Sequence, residues 1–313
     1  MALDSDPLKQ RCFQEGFFLA GVADVIAPPH LPVYEAWVTA GMHAEMEYLK
    51  AHIPLKQHPT TLLEDAQSLL VVGLNYAQPV EQPELGKIAM YAQGRDYHKV
   101  IRQKLSRVSD WLIENVPEIR TRVCVDSAPI MERDFAQLAG LGWFGKNTCL
   151  INSARGSFFF LGVLLMSEKF AADEPAIGGC GSCRLCIDAC PTGALVFRGD
   201  AKVALLDSNR CISYLTIEQR GELSPEQAGM LNGWMFGCDV CQTVCPFNER
   251  RDSQPMRASV SAESDFESRF DGMDANWVLD ASDEEVLLRI AGTPLMRAGV
   301  EQLRRNAMAV LGK

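Results

Sequence analysis

Long apolar runs are absent from this chain of 313 residues. The longest, residues 158–166, covers nine positions, far short of the roughly 20 that a membrane-spanning helix needs. No membrane association is expected. The opening Met-Ala-Leu-Asp-Ser-Asp-Pro has neither a basic n-region nor an apolar h-region, so no secretory signal is expected. Histidine is scarce, with only His30, His43, His52, His58 and His98. Positive charge is also in deficit, and a formal net charge of −10 argues against a general nucleic-acid binder. That deficit is local: residues 261–288 hold nine acidic side chains against Arg269 alone, leaving about −2 for everything else. Lys99, Arg102, Lys104 and Arg107 share one expected helix, with Arg120, Arg122, Arg250, Arg251, Arg304 and Arg305 elsewhere. These read as a solvated surface or as a localised phosphate-contacting patch.

Cysteine, by contrast, is plentiful. Eight of the eleven fall in two linked runs. The first is Cys180-Gly-Ser-Cys183-Arg-Leu-Cys186-Ile-Asp-Ala-Cys190-Pro191; the second is Cys238-Asp-Val-Cys241-Gln-Thr-Val-Cys245-Pro246, with Cys211 upstream. The C-x2-C-x2-C-x3-C-P spacing is that of bacterial two-cluster ferredoxins, whose fourth cysteine serves the other cluster. Cys180, Cys183 and Cys186 would therefore take Cys245, and Cys238 and Cys241 would take Cys190. The second set lacks one thiolate; Cys211 is nearest in sequence, and Cys12, Cys124 and Cys149 are remote candidates. Structural zinc is the competing reading, because C-x2-C knuckles also bind zinc, but zinc has no use for the crossed fourth cysteine. Two 4Fe–4S clusters imply single-electron transfer. With oxygen-sensitive clusters and no export signal, the cytoplasm is the expected compartment.

The length allows about two domains, and a composition 47% hydrophobic and 22% charged is that of an ordinary globular protein. Residues 1–170 read as mixed α and β. Helical spacing covers 8–19, 32–49 and 97–116, while 68–74 reads as a buried strand and 122–126 as a short one. Pro129 is expected to open a helix. Residues 149–152 and 157–166 read as strands joined by an Ala-Arg-Gly turn. Residues 171–255 form the cysteine-rich, loop-dominated part. An acidic stretch then leads to a helix pair over 284–290 and 294–311.

Gly140-Leu-Gly142-Trp-Phe-Gly145-Lys146-Asn147 mimics two phosphate-binding motifs. It follows a helix and precedes a strand, the reverse of a dinucleotide fingerprint. Asn147 stands where a P-loop needs Ser or Thr. Gly140 fits a helix exit, and Gly142 and Gly145 could let the backbone approach a large flat ligand. Asp126, at a strand end, is either a proton donor whose pKa is raised by burial or a helix cap. Arg133 is expected to pair a structural carboxylate. Asp96-Tyr97-His98 starts like the cobalamin-ligating D-x-H-x-x-G but continues Lys99-Val100-Ile101, without the glycine.

At Val125-Asp126-Ser127-Ala128-Pro129-Ile130-Met131-Glu132-Arg133, followed by Ala139-Gly140-Leu141-Gly142-Trp143-Phe144-Gly145-Lys146-Asn147, the sequence resembles the epoxyqueuosine reductase family. The likeness continues through Arg95-Asp96-Tyr97-His98, both cysteine runs and residues 210–218, and covers almost the whole chain. It implies an α+β fold: a nitroreductase-like cobalamin-binding domain over 1–170, a ferredoxin-like module with two 4Fe–4S clusters over 171–255, and an acidic linker and helical tail over 256–313. It implies reduction of epoxyqueuosine to queuosine at the wobble position of tRNAs for Tyr, His, Asn and Asp. Electrons from a low-potential ferredoxin or flavodoxin would pass through the clusters to base-off cobalamin, in a monomer. Asp126 maps onto the family's acid and Cys211 onto its eighth cluster ligand. Tyr97, His98, Asp126, Gly142, Gly145 and Asn152 are the expected cofactor contacts. Family members commonly run on into helical HEAT-like repeats, and residues 301–313 look like the first of these cut short.

Two other functions compete. One is a reductase of a small halogenated or epoxide substrate; the reductive dehalogenases that share the architecture typically carry a twin-arginine leader, which is not seen here. The other is a ferredoxin-type carrier without a corrin.

Overall fold

Strand Ser68–Asn75 explains the architecture of the front half. Seven of its eight residues are buried, although successive side chains point to opposite faces. Both faces must therefore be covered. In the computed structural model, which describes residues 1–196, 204–249 and 259–313, this strand lies inside a four-stranded antiparallel sheet. The order is Leu19–Asp24, Ser68–Asn75, Phe159–Met166, Thr121–Cys124. Leu70, Val72 and Leu164 meet helices Asp6–Gln14 and Tyr97–Asn115 through Leu8, Ile101, Leu105 and Leu112. Leu69, Val71 and Leu165 face Phe135 and Ala136 of helix Glu132–Leu138. A Cβ on Gly21 would sit 2.1 Å from the carbonyl oxygen of Ala139, so glycine is what lets that helix end against the sheet.

Several expected boundaries move. The helix predicted over 8–19 stops at Gln14; Gly16 turns the chain at φ +90°, and residues 19–24 pair with 68–73 instead. Ladder hydrogen bonds and burial override helical spacing there. The 32–49 helix ends at Thr39 before Gly41 at φ +70°, and resumes as Glu47–Ala51. Pro129 opens no helix; the next begins at Glu132. Strand Leu150–Ile151 pairs with Trp143–Phe144 rather than with its successor, although Asn152 and Gly156 form the expected turn bridge.

The cysteine-rich part is built from short elements, and its strand Trp234–Phe236 pairs in parallel with Lys87–Ile88 of the front half. Tyr91, Cys238 and Val240 all pack against the small core of Ala89, Ile212 and Trp234 that this pairing builds. The tail holds a helix the spacing did not reveal, Ala275–Asp280, besides Asp283–Ile290 and Gly299–Leu311. The tail is not loosely appended. Leu303 and Ala307 are fully buried in one core with Phe236 and Val286, and the Asn306 amide donates to the Thr216 and Met235 carbonyls, each at 2.9 Å. Arg250 and Arg251 lie outside the described residues. Among the described residues no helix is long and apolar enough to cross a membrane.

Candidate active site

Strand Thr121–Cys124 runs out into a loop before helix Glu132–Leu138. Within it Asp126 adopts φ +49°, a left-handed conformation that costs a non-glycine residue on the order of 1–3 kcal/mol. The surroundings hold it there. Its amide donates to Glu132 Oε1 at 2.8 Å, and Lys56 Nζ donates to the Ile130 carbonyl at 3.4 Å. Its carboxylate Oδ2 accepts from the Tyr97 hydroxyl and pairs with His98 Nε2, both at 2.8 Å. Tyr97 and His98 form the first turn of helix Tyr97–Asn115, which Asp96 caps by accepting from the His98 amide at 3.0 Å. The same Asp96 Oδ1 lies 2.7 Å from His98 Nδ1. Both ring nitrogens are thus engaged by carboxylates. Tyr97 is fixed by stacking on Phe160, centroids 4.2 Å apart and nearly coplanar.

The charges settle in a pattern the sequence did not suggest. Burial pushes the Asp126 pKa up, but hydrogen bonds from His98 and Tyr97 outweigh it and hold the carboxyl below the ordinary aspartate range. The expectation of a raised value is corrected. Burial pushes His98 down, but Asp126 and Asp96 outweigh it, so the imidazole is more basic than usual. Glu132 goes the other way: burial first, then the charge on Asp126, raise it to about 8. The resting site therefore favours protons on His98, Tyr97 and Glu132 and the charged form of Asp126.

Further groups from distant parts of the chain converge on this anion. Tyr48, Lys56, Tyr91 and Arg297 all sense its charge, yet none is fully closed off from solvent. Arg297 makes a two-pronged ion pair with Glu218 at 2.7 and 3.1 Å and sits 6.0 Å from the Tyr48 ring centroid. The Asp126 side chain is itself 56% exposed. An exposed carboxylate bordered by aromatic and hydrogen-bonding groups suits a large, flat, polar-edged cofactor.

The cysteines gather in two groups beside it. Cys180, Cys183, Cys186 and Cys245 line one cavity with Lys146, Asn147 and Phe247. The Lys146 amide donates to Cys180 Sγ at 3.4 Å. In the second group burial, then the neighbouring Cys211 and Cys190, raise the Cys238 thiol to about 12. Cys241 is raised by burial, then by Cys149, Cys238 and Cys211. Thiols so crowded ionise only against a compensating cationic centre. Among the described residues no three His, Cys, Asp or Glu side chains form a single-ion site. Cys12 and Cys124 lie in the two sheet cores. Cys149 sits between the groups, sensing Cys245, Cys186 and Cys241.

Gly142, Gly145 and Asn152 are not brought to Asp126. A Cβ on Gly142 would lie 2.4 Å from the Ile151 carbonyl oxygen, and one on Gly145 2.5 Å from Ile151 Cδ1. Asn152 donates to the Leu141 carbonyl at 2.7 Å and accepts from the Ala154 and Arg155 amides. These residues close the hairpin that carries Asn147, whose amide donates to the Cys241 carbonyl at 3.2 Å. Among the described residues Arg133 pairs no carboxylate; it donates to the Thr148 carbonyl and lies over the Phe144 ring.

A family model described as epoxyqueuosine reductase QueG, DUF1730, matches residues 56–127, and one described as a 4Fe-4S double cluster binding domain matches 179–248. The epoxyqueuosine reductase of Vibrio cholerae serotype O1 (strain ATCC 39315 / El Tor Inaba N16961) is 37% identical over 317 residues, covering 98% of this chain and 83% of its own. That of Synechococcus sp. (strain RCC307) is 40% identical over 313 residues, covering 98% and 93%. The chain belongs to the epoxyqueuosine reductase family. It is accordingly an oxidoreductase with a 4Fe–4S double-cluster domain. A solved epoxyqueuosine reductase bound to a tRNA-Tyr epoxyqueuosine-modified stem loop superposes with a TM-score of 0.82 at 26% identity, over 98% of this chain and 80% of that one.

Residues 56–127 of the family match hold Lys56, Tyr91, Tyr97, His98 and Asp126; of the site's residues, sequence reasoning missed Tyr48, Lys56, Tyr91, Glu132 and Arg297. Only the Asp126-to-Glu132 spacing, a carboxylate at the start of the following helix, offered a signal. One consequence can be measured. By NMR, His98 is expected to titrate above the usual histidine range of about 6.5, and in Asp126→Asn to fall back toward it. An ordinary value in the unaltered protein would contradict the paired geometry.

Proposed function

We propose that the chain reduces epoxyqueuosine to queuosine at the wobble position of tRNAs for Tyr, His, Asn and Asp. The observation that carries this reading is an acid–base pair, Asp126 with His98, standing partly exposed and linked toward the cysteine-rich part by Tyr91, whose ring meets Tyr97 and Phe236. Removing an epoxide oxygen takes two electrons and two protons and leaves an alkene and water. A donor must therefore meet the leaving oxygen. Asp126 supplies that proton from the pair it forms with His98. Asp96 holds the imidazole in place, and Tyr97 fixes the carboxylate's direction.

Tyr48, Tyr91, Tyr97 and His98 would hold cobalamin. With both His98 nitrogens occupied by carboxylates, no imidazole is offered to the metal there, which supports the base-off form. When bound, cobalamin supplies low-potential cobalt for the reduction, a range that 4Fe–4S clusters reach. Cys180, Cys183, Cys186 and Cys245 would hold one cluster, and Cys190, Cys211, Cys238 and Cys241 the other. The second set would lie nearer Asp126, because Cys238 and Tyr91 pack on the same small core of Ala89, Ile212 and Trp234. Electrons would enter from a ferredoxin or flavodoxin. We assign residues 1–170 to a nitroreductase-like cobalamin domain, 171–255 to the ferredoxin-like module and 256–313 to the linker and a HEAT-like helical tail. The protein would act as a cytoplasmic monomer on its tRNA.

Anaerobic protein reconstituted with iron, sulfide and cobalamin, given a strong reductant and an epoxyqueuosine-bearing stem loop, is expected to form queuosine detectable by mass spectrometry. Asp126→Asn should keep cobalamin and iron yet turn over roughly 10²- to 10⁴-fold more slowly. Undiminished turnover would remove Asp126 from the reaction, and no product from the unaltered protein would refute the function. For the ligand sets, Cys211→Ala should lose about half the iron while Cys12→Ala keeps it all. Equal iron in both variants would overturn the assignment of Cys211.

A further inference from the structure

The Asp126 loop holds itself by little: the Ile130 amide donates to the Ala128 carbonyl and the Ser127 hydroxyl to the Val125 carbonyl, and neither bond engages Asp126. Its critical residue sits at φ +49°, so something outside the loop must offset that strain. Besides Tyr97 and His98, which hold the carboxylate, two side chains reach the loop backbone. Lys56 Nζ holds the far end at the Ile130 carbonyl, at a long 3.4 Å. Glu132 Oε1 accepts from the Asp126 amide at 2.8 Å, at the one residue whose conformation is strained. Glu132 is the first residue of helix Glu132–Leu138. That helix is anchored by Phe135 and Ala136, both fully buried.

We propose that Glu132 is a positioning residue: its side chain latches the Asp126 amide to a rigid helix and so aims the Asp126 carboxylate at Tyr97, His98 and the leaving oxygen. This rests on the reading of Asp126 as the proton donor. A latch placed this close to an anion works best if it is itself uncharged. The groups facing Glu132 are Asp126 from the loop, Lys56 from helix Ile53–Lys56, Arg133 from its own helix, and Tyr97 and Cys124 from the flanking elements. Burial and the Asp126 charge together keep the carboxyl neutral at pH 7. A neutral carboxyl accepts through its carbonyl oxygen and adds no repulsion toward Asp126. Glutamine presents that same oxygen at the same reach. Aspartate is one methylene short and alanine has no acceptor.

These differences make the test. In Glu132→Ala, kcat for the epoxyqueuosine stem loop should fall about 10- to 100-fold with KM unchanged, because a displaced acid costs rate rather than binding. Deuterium exchange of the Asp126 amide should accelerate at least about tenfold as its partner is lost. The NMR pKa of His98 should drop, since Asp126 no longer stays beside it. Glu132→Gln should recover most of all three, and Glu132→Asp should not. Slow exchange and an unmoved His98 in the alanine variant would overturn the latch. If alanine prevents folding, the glutamine and aspartate variants decide: equal behaviour in those two sinks the proposal. The exchange and His98 measurements need no turnover. A protein that makes no queuosine would therefore fail the functional reading while the latch was still judged on its own.

Discussion

A single carboxylate oxygen receives two hydrogen bonds, from Tyr97 and from His98, each 2.8 Å long. The rest of the site depends on that junction. For it to form, the first turn of helix Tyr97–Asn115 must lie across the end of strand Thr121–Cys124, and the loop after that strand must bend backward. The sheet supplies the first condition: Val100, Ile101 and Leu105 pin the helix to one face, and Phe135 and Ala136 pin the following helix to the other. Glu132 and Lys56 supply the second. The pair also sets where protons rest. Donors that lower the Asp126 pKa are the groups that store the proton, so acid strength belongs to the pair rather than to either residue.

The cysteine-rich part is joined to this junction by backbone as well as by packing. Strand Trp234–Phe236 pairs with Lys87–Ile88, and Asp239, between two cysteines of the second run, accepts from the Met90 amide at 2.6 Å. Tyr91 then contacts Phe236 on one side and Tyr97 on the other. The tail closes a third side. Arg297, ion-paired with Glu218, reaches toward Tyr48. Leu303 and Ala307 of the tail helix are buried in one core with Phe236 and Ile88, so the tail packs on the same strand pair that joins the other two parts.

Legibility in the sequence followed the range of the interaction. Cysteine spacing is local and chemically demanding, so the runs announced their centres without a fold. Helix Tyr97–Asn115 and strand Ser68–Asn75 were readable because their periodicity reflects one continuous buried surface each. Strand Leu19–Asp24 was not: its partner lies some 50 residues away in sequence, and ladder pairing won over local spacing. Gly142 and Gly145 looked like room for a ligand because the sequence cannot show that Ile151 already occupies that room. Asp126 was visible from its place at a strand end and again in a family motif, but its charge state was read with the wrong sign, since hydrogen bonds from Tyr97 and His98 are tertiary facts. Glu132 and Arg297 escaped for the same reason.

The most direct test of the account is the pH dependence of a single turnover on epoxyqueuosine-bearing stem loop, set beside the NMR titration of His98. If the His98–Asp126 pair delivers the proton, the rate is steady while His98 is protonated. It then falls about tenfold per pH unit above the raised His98 pKa, with the same midpoint as the NMR curve. A rate that stays level, or rises, through the His98 titration would contradict it.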